Sequence, residues 1–492
     1  MARINTNVSS LIAQSNLKRS GDDLQVRLQR LSTGLRINRG ADDPAGLIVS
    51  ERLRSEVRGI GQAIDNSERA ISVISTAEGY LSEVADLLNS LKSLIVKSAN
   101  TGGISKEEVE ANQLEIDSAI ESITRISNTA SFAGLQLLNG SLSYLTSGVD
   151  AASIAGVDIQ GVQFGSDSNI AVSVEVVQSA QTGALFLSGN TTGAVGALLS
   201  SVTMEIAGPL GVQTLTFVSG TALSAVAAGV NLVRDTTGVS ASLAGASQSS
   251  GLVFNSQTFG SSSFVSVKKL GVGGAFFETF ETQNGNQKNH DSGRDVKAII
   301  NGAVATGDGT SVSLNTPALS LDLDLSQAFA TTVNGSPSTF RITGGGANFQ
   351  LGPNVDATQQ IGLGIRSIAA SRIGGTDIAG VRYFLDSLKS GQPNAVTGDR
   401  EAEASSVLDT AITEIAVVRG RLGAFERNTL QTNMNSLQIG FENITSAESK
   451  IRDADFAAET AKMTRAQILQ QAGTSVLATA NSSAQNVLQL LQ

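Results

Sequence analysis

Few side chains of this sequence could do chemistry. His290 lies in a polar, glycine-rich stretch, and there is no other His and no Cys. These counts exclude Cys/His zinc sites and an HExxH zinc site, and we expect His290 to lie in an exposed loop. Asp322 and Asp324 alternate with Leu, which favours a strand with its carboxylates facing water over a calcium site.

Two glycine-rich stretches are weak candidates for phosphate loops. GVGGAFF at 271–277 and the three glycines at 344–346 lack the strand-to-helix context and the terminal Lys of such loops. We therefore predict that the chain is not an enzyme and needs no cofactor and no metal.

Overall charge and hydropathy exclude further classes. The net charge is −10 and no basic stripe is present, which argues against nucleic-acid binding. No run of about eighteen apolar residues occurs, so no membrane span is predicted. The start lacks the basic and apolar regions of a signal peptide. We expect a protein that is cytosolic or leaves the cell without a cleaved leader.

The chain falls into three regions by composition. Residues 141–400 hold 29 of the 78 charged residues and five of the six prolines. Stretches there such as IAVSVEVV (170–177) and ALSLDLDLS (318–326) alternate apolar and polar residues, which predicts half-exposed strands. TALSAVAAGVNLV (221–233) could form a short helix between two of these strands. The flanks carry apolar residues at steps of three and four, which predicts helices.

The helical flanks contain specific boundary signals. Gly34, Gly40 and Pro44 predict a non-helical connector around residues 33–45. From Ile60 an apolar seam predicts a rod of nearly forty residues, which Gly102 and Gly103 end. Ser105, with Glu108 three residues later, predicts a capping box that starts a second helix. A seam resumes from Glu401 and runs to Ile451.

Both ends of the chain contain long family signatures. Two stretches at the start are INTNVSSLIAQSNL and LQRLSTGLRINRGADDPAGLIVSERLRSE. Two stretches near the end are RGRLGAFERNTLQTNMNSL and AESKIRDADFAAETAKMTRAQILQQAG. All four closely resemble parts of bacterial flagellin, the subunit of the flagellar filament. The resemblance implies an α+β multidomain fold: a long antiparallel helical bundle or coiled coil built from both termini, with a β-rich central insertion. It implies an extracellular location in the bacterial flagellum.

The resemblance and the composition together predict six segments. They are an inner-tube helix (1–32), a connector (33–56), the first part of a helical core domain (57–140), variable β-rich outer domains (141–400), the second part of the helical core domain (401–450), and a connector with a C-terminal inner-tube helix (451–492).

Both ends are amphipathic and almost uncharged. A lone helix of this kind is marginal in water, so we expect the ends to be disordered before assembly and helical among copies of the chain. The alternative is a pair of frayed termini. The predicted polymerisation contacts are Ile4, Val8, Leu11, Leu477, Ala484, Val487 and Leu491.

Charged and polar residues mark the two connectors, at Arg36, Asn38, Asp42, Asp43, Arg452 and Asp455. The resemblance implies that these connectors pack against neighbouring subunits. The alternative is a solvated turn with local ion pairs.

The resemblance implies a structural subunit of a helical filament that serves as a propeller for swimming. It also implies export, largely unfolded, by the flagellar type III apparatus. Expected partners are further copies of the chain, an export chaperone, a cap protein and a hook-filament junction protein. Two alternatives are a hook-filament junction protein and a secreted adhesin displayed on a flagellin-like scaffold.

An animal Toll-like receptor is a further partner of many flagellins. Leu94 and Glu115 match the family pattern for its binding face. Ser90 and Ser93 stand where receptor-active members usually have Arg and Glu. Loss of the Arg fork removes the kind of contact that anchors an interface, which argues against recognition by this receptor.

Overall fold

The computed structural model describes residues 6–165, 167–188, 196–245, 250–272, 277–282, 285–333, 335–378, 381–398 and 400–489, with only the backbone for 484–489. The chain divides into two compact units. The terminal unit comprises Met1–Ser72, Gln350–Val355 and Ala424–Gln492. The central unit comprises Val73–Phe349 and Asp356–Gly423.

Long helices make up both flanks. The helices are α1 (Val8–Thr33), α2 (Pro44–Ser98), α3 (Lys106–Thr129), α4 (Leu223–Leu232), α5 (Arg234–Thr237), α6 (Gln327–Ala330), α7 (Glu401–Phe425), α8 (Thr432–Arg452) and α9 (Phe456–Gln489). A π-helical segment, Glu426–Gln431, joins α7 to α8.

Strands fill the region between α3 and α7. They are β1 (Ser131–Phe132), β2 (Leu135–Gln136), β3 (Tyr144–Ser147), β4 (Ile154–Val162), β5 (Ile170–Gln178), β6 (Ala184–Leu187), β7 (Val202–Gly208), β8 (Gly211–Phe217), β9 (Val239–Leu243), β10 (Leu252–Ser256), β11 (Phe264–Leu270), β12 (Thr279–Phe280), β13 (His290–Ser292), β14 (Lys297–Ile300), β15 (Ala303–Val304), β16 (Thr306–Asp308), β17 (Ser311–Asn315), β18 (Leu319–Leu325), β19 (Ser338–Gly345), β20 (Ala347–Gln350), β21 (Gln360–Leu363), β22 (Thr376–Ile378) and β23 (Val381–Tyr383). The predicted fold class, helical flanks around a β-rich centre, is confirmed.

In the terminal unit, α1 and α9 pair along their length. Asn7 caps α1, because its side-chain oxygen accepts a hydrogen bond from Ser10 N at 3.0 Å. Gly34 ends the helix in the left-handed conformation (φ 74°), which Gly adopts without steric cost. The predicted connector is non-helical up to Pro44, where α2 begins.

In the central unit, the later part of α2 buries the predicted seam. Leu81, Val84, Leu88 and Leu91 are fully buried. The predicted capping box of α3 is confirmed, since Ser105 and Glu108 accept hydrogen bonds from each other's backbone N–H groups.

Two β cores follow in the central unit. In the first, sheets β15-β14-β5-β19-β3 and β16-β17-β18-β4 supply buried side chains such as Val174 and Leu321. In the second, sheets β12-β6-β10-β9 and β13-β11-β7-β8 pack with α4 around Phe254. The order β8, α4, α5, β9 confirms the predicted short helix between strands, with the one-turn helix α5 after it.

Three local features differ from expectation. His290 is exposed as predicted, but it belongs to β13 rather than to a loop, and its ring lies 5.3 Å from that of Phe264. Asp322 and Asp324 are in a strand and partly exposed, yet arginines hold both: Arg421 donates to Asp322, and Arg382 lies 3.4 Å from Asp324. The π-helical segment carried no signal in the apolar seam.

Candidate assembly interface

The paired helices α1 and α9 run antiparallel in a single register. Asn7 Nδ2 donates to Ala480 O at 2.9 Å, near the start of α1. Midway, a Cβ added at Gly473 would lie 3.7 Å from the Cβ of Leu17. Near the end of α1, Arg27 Nη1 donates to Glu459 Oε2 at 2.9 Å. These contacts bring the two chain ends together, as the sequence predicts for the terminal helices.

The two connectors meet as a short antiparallel bridge. Leu35 pairs with Asp453. Arg36 N donates to Arg452 O at 2.7 Å, and Ala454 N donates to Gly34 O at 2.9 Å. Backbone hydrogen bonds therefore fix the connector of one chain end to that of the other.

The acidic connector residues order the backbone close to them. Asp42 Oδ2 accepts from Asn38 N at 3.0 Å and from Arg39 N at 2.8 Å. These two hydrogen bonds lower the pKa of Asp42. Asp43 accepts from Gly46 N in the first turn of α2, and Asp455 accepts from two backbone N–H groups in the first turn of α9.

Two of the predicted connector residues also act across the chain. The guanidinium of Arg452 lies 2.7 Å from Glu51 on α2, and that of Arg36 donates to Ile451 O. Asn38 donates locally to Leu35 O. The connector set is thus largely a network within one chain, in which Arg36 and Arg452 join its two ends.

The predicted polymerisation residues fall into three groups. Val8 and Leu11 are exposed on α1, by 48% and 56%. Leu477 is half-buried on the side of α9 that faces α1. Ile4 and Leu491 lie outside the described residues, and the side chains of Ala484 and Val487 are not described.

Sequence reasoning missed a second apolar stripe on α9. Ile468, Leu469 and Val476 are 60%, 49% and 58% exposed, whereas Ala466 is buried. On α1, Ile12 is exposed by 57% beside Leu11. The signal for this stripe in the sequence is the spacing of seven and eight residues from Leu469 and Ile468 to Val476.

The two residues predicted for a receptor face lie on different helices. Leu94 is buried in the central unit, with 8% of its surface exposed, whereas Glu115 on α3 is exposed. Ser90 and Ser93 are both exposed on α2.

An ionic cluster in the central unit also escaped prediction. Asp158 on β4 and Asp322 on β18 are direct cross-strand neighbours, an unfavourable pairing of like charges. Arg421 of α7 donates to both carboxylates, at 3.2 Å to Asp158. The cluster fixes α7 to the sheet. Within the described residues, no group of three or more His, Cys, Asp or Glu could hold a metal ion.

Comparisons with known proteins follow the same division of the chain. Residues 4–143 match the model of the bacterial flagellin N-terminal helical region, and residues 406–491 match that of the C-terminal helical region. Residues 203–258, which include β8, α4 and β9, match the flagellin hook IN motif.

Relatives match along their whole length. The B-type flagellin of Pseudomonas aeruginosa is 31% identical, with 99% of each chain covered, and the flagellin of Salmonella rubislaw is 30% identical with the same coverage. The crystal structure of the flagellar junction protein FlgL from Legionella pneumophila is 14% identical and covers 82% of this chain at a TM-score of 0.29, which is too low to assign a fold.

Two helical ends that pair with each other, separated in the chain by a β-rich insertion and matched by these family models, place the protein in the class of flagellar filament subunits. The chain belongs to the bacterial flagellin family. This is a family of structural proteins rather than enzymes, and its members form the external filament of the flagellum. Among the described helices, none has the length and apolar character needed to cross a membrane.

Proposed function

We propose that this flagellin builds a filament by packing its terminal units against those of neighbouring copies, and that the filament is a propeller for swimming. The exposed apolar side chains of the terminal unit carry this proposal. Among its described residues, 12 large apolar side chains are exposed and only four are buried: Ile37, Ile60, Leu351 and Leu430.

The energetics favour burial between copies. Full burial of one large apolar side chain contributes about 1.5 to 3 kcal/mol. Ordering the backbone costs about 1 to 2 kcal/mol per residue, so four buried side chains cannot hold long terminal helices in place. Burial of Leu11 and Val476 against other copies would supply the missing stabilisation.

The exposed stripes also bear on the symmetry of the assembly. Leu11 and Ile12 lie on α1, whereas Ile468, Leu469 and Val476 lie on α9. Contacts between two different surfaces are heterologous, and they extend into a helix unless the rotation closes a ring. A helical filament is built from contacts of this type.

The same weak burial suits export. A terminal unit with few buried side chains unfolds at low cost, which favours passage through the narrow channel of the flagellar type III apparatus. Resemblance to the family further suggests an export chaperone on the C-terminal helices, a cap protein at the growing end and a hook-filament junction protein at the base.

Matched Asp substitutions test the proposal. Leu11→Asp places a charge on the exposed stripe of α1, and Leu477→Asp places one on α9; both are expected to abolish filaments because an unpaired charge would be buried. Val212→Asp is the control: Val212 is 57% exposed, against 56% for Leu11, but lies on β8 in the central unit. Assembly in polymerising salt is measured by sedimentation and electron microscopy.

Normal filaments are expected from Val212→Asp, with unchanged circular dichroism of the central unit in all three variants. Normal filaments from Leu11→Asp and Leu477→Asp would contradict assembly through the terminal helices.

A further inference from the structure

The seam between α1 and α9 repeats with a period of seven residues. On α1 the repeat is Ser10, Leu17, Leu24 and Leu31, and on α9 it is Glu459, Ala466, Gly473 and Ala480. These residues are buried or half-buried. In the observed register, the leucines of α1 thus lie opposite small residues of α9, as the contact between Leu17 and Gly473 shows.

A repeat of this kind leaves the register ambiguous. A slip by seven residues, about 10.5 Å along the helix, would again place leucine opposite Ala or Gly. Apolar packing therefore distinguishes poorly between the observed register and its neighbours. Polar contacts must select one. The connector bridge at Leu35 and Asp453 constrains the end of the seam, and the seam itself contains one charged residue in the repeat, Glu459.

Glu459 breaks the repeat. It is 4% exposed, and it is the last acidic residue of the chain. Arg27 lies 2.9 Å and Arg30 3.5 Å from its carboxylate across the seam, and Lys462 lies 3.3 Å away on its own helix.

Either slip would move this carboxylate away from the positions that Arg27 and Arg30 hold on α1, and would leave it only Lys462 of its own helix. A slip towards the start of α1 would bring Glu459 close to Asp23, a like charge. A slip in the other direction would move it past Thr33, where α1 ends. The first slip leaves a buried carboxylate beside a like charge, which is strongly unfavourable, and the second gives up the ion pairs to both arginines.

We propose that Glu459, held by Arg27 and Arg30, selects the register in which α1 and α9 pair, and so aligns the exposed stripes for contact with other copies. Glu459 is in this sense a positioning residue for assembly. The proposal rests on the proposed function, because the register matters through the surface that it presents. Asn7 and Ser10 add a second pair of contacts at the other end of the seam, to Ala480 O and to the side chain of Asn481.

The absence of Cys makes the register measurable by disulfide formation. Leu17→Cys with Gly473→Cys reports the observed register, because the Cβ separation of 3.7 Å suits a disulfide. Leu17→Cys with Ala466→Cys, or with Ala480→Cys, reports a slip of seven residues in either direction. Each pair is combined with Glu459→Gln, with Glu459→Asp, or with the exposed control Glu442→Gln.

Sedimented filaments are oxidised and the cross-linked fraction is measured. With Glu459 present, the Leu17→Cys/Gly473→Cys pair should dominate. Glu459→Gln should lower the ratio of in-register to slipped product by about tenfold, as expected when one partner of a buried ion pair is removed. Glu459→Asp keeps the charge and should keep the register, as should Glu442→Gln.

An unchanged ratio in Glu459→Gln would overturn the proposal while leaving assembly intact. If Glu459→Gln does not assemble alone, it is mixed with an excess of native chain, which has no Cys, and the ratio is read on the mixed filaments; a value equal to that of Glu442→Gln would overturn it equally. Failure of the chain with native Glu459 to form filaments would instead contradict the proposed function.

Discussion

The terminal and central units differ most in how they bury apolar side chains. Among the described residues, the central unit buries 58 large apolar or aromatic side chains and exposes 14. The terminal unit buries four and exposes 12. One unit completes its cores within a single chain, whereas the other leaves most of its large apolar side chains exposed, as the proposed assembly through this unit requires.

The two units also differ in net charge. The terminal unit has 16 Lys and Arg against 14 Asp and Glu, a net charge of +2, and the central unit has 18 against 30, a net charge of −12. Strong like charge on the central units disfavours their close contact, whereas nearly neutral terminal units can pack together. Salt should therefore favour assembly by screening the central units.

Amide hydrogen exchange should give the largest contrast between the two units. In dilute single chains, amides of α1 and α9 should exchange with little protection, while those of α3 and the β cores should be protected by orders of magnitude. Assembly should protect α1 and α9 and leave the Ile116–Ile123 segment of α3, the internal control, unchanged. Strong protection of both terminal helices in the single chain would refute the dependence on other copies.

Two phenylalanines sharpen the comparison. Phe254 is fully buried in the second β core, so Phe254→Ala should lower the free energy of unfolding of that core by about 3 to 5 kcal/mol. Phe456 is 64% exposed on α9, so Phe456→Ala should change the stability of the single chain by less than about 0.5 kcal/mol but weaken assembly. Denaturant unfolding and sedimentation measure the two effects. Equal loss of single-chain stability in both variants would contradict the difference in burial between the central and terminal units.

Local sequence signals predicted much of this architecture. Alternation in β5 and β18, the capping box at Ser105 and the seam of α2 each depend on residues close together in the chain, so their periodicity or spacing was sufficient. The apolar character of both ends was equally readable, although the stripe containing Val476 was missed.

Contacts between distant segments were beyond those signals. Arg27 and Glu459 are separated by 432 residues, and nothing near either residue identifies the other. Arg421 likewise reaches Asp158 and Asp322 only because α7 lies against the sheet. Such pairs require the three-dimensional arrangement and not the pattern of one segment.

Acid should loosen the terminal seam before it affects the β cores. Burial alone would raise the pKa of Glu459, but hydrogen bonds from Arg27 and Lys462 outweigh it and lower the pKa below the ordinary value of 4.5. A carboxylate with a lowered pKa stabilises the fold fully above its unfolded pKa, and this stabilisation is lost as pH falls through the lower folded pKa.

Sedimentation of filaments between pH 6 and pH 3 tests this expectation. Filaments with native Glu459 should dissociate as pH falls below about 4.5. Filaments of Glu459→Gln should be less stable than native filaments at pH 6. Their sedimenting fraction should fall less on acidification, because Arg27, Arg30 and Lys462 no longer face a titrating group. The same acid sensitivity in both chains would assign the effect to other carboxylates, such as Asp42 in the connector.

The smallest expected effects come from removing one helix cap in each unit. Ser105→Ala removes the cap of α3 in the central unit and should lower its free energy of unfolding by about 1 kcal/mol, measured by denaturant unfolding of the single chain. Asn7→Ala removes both the cap of α1 and the hydrogen bond to Ala480 O, yet it should leave single-chain unfolding unchanged. Since α1 is expected to be ordered only among other copies, loss of its cap should instead raise the concentration of chain needed for assembly. A loss of single-chain stability in Asn7→Ala as large as that in Ser105→Ala would show that α1 is already ordered before assembly.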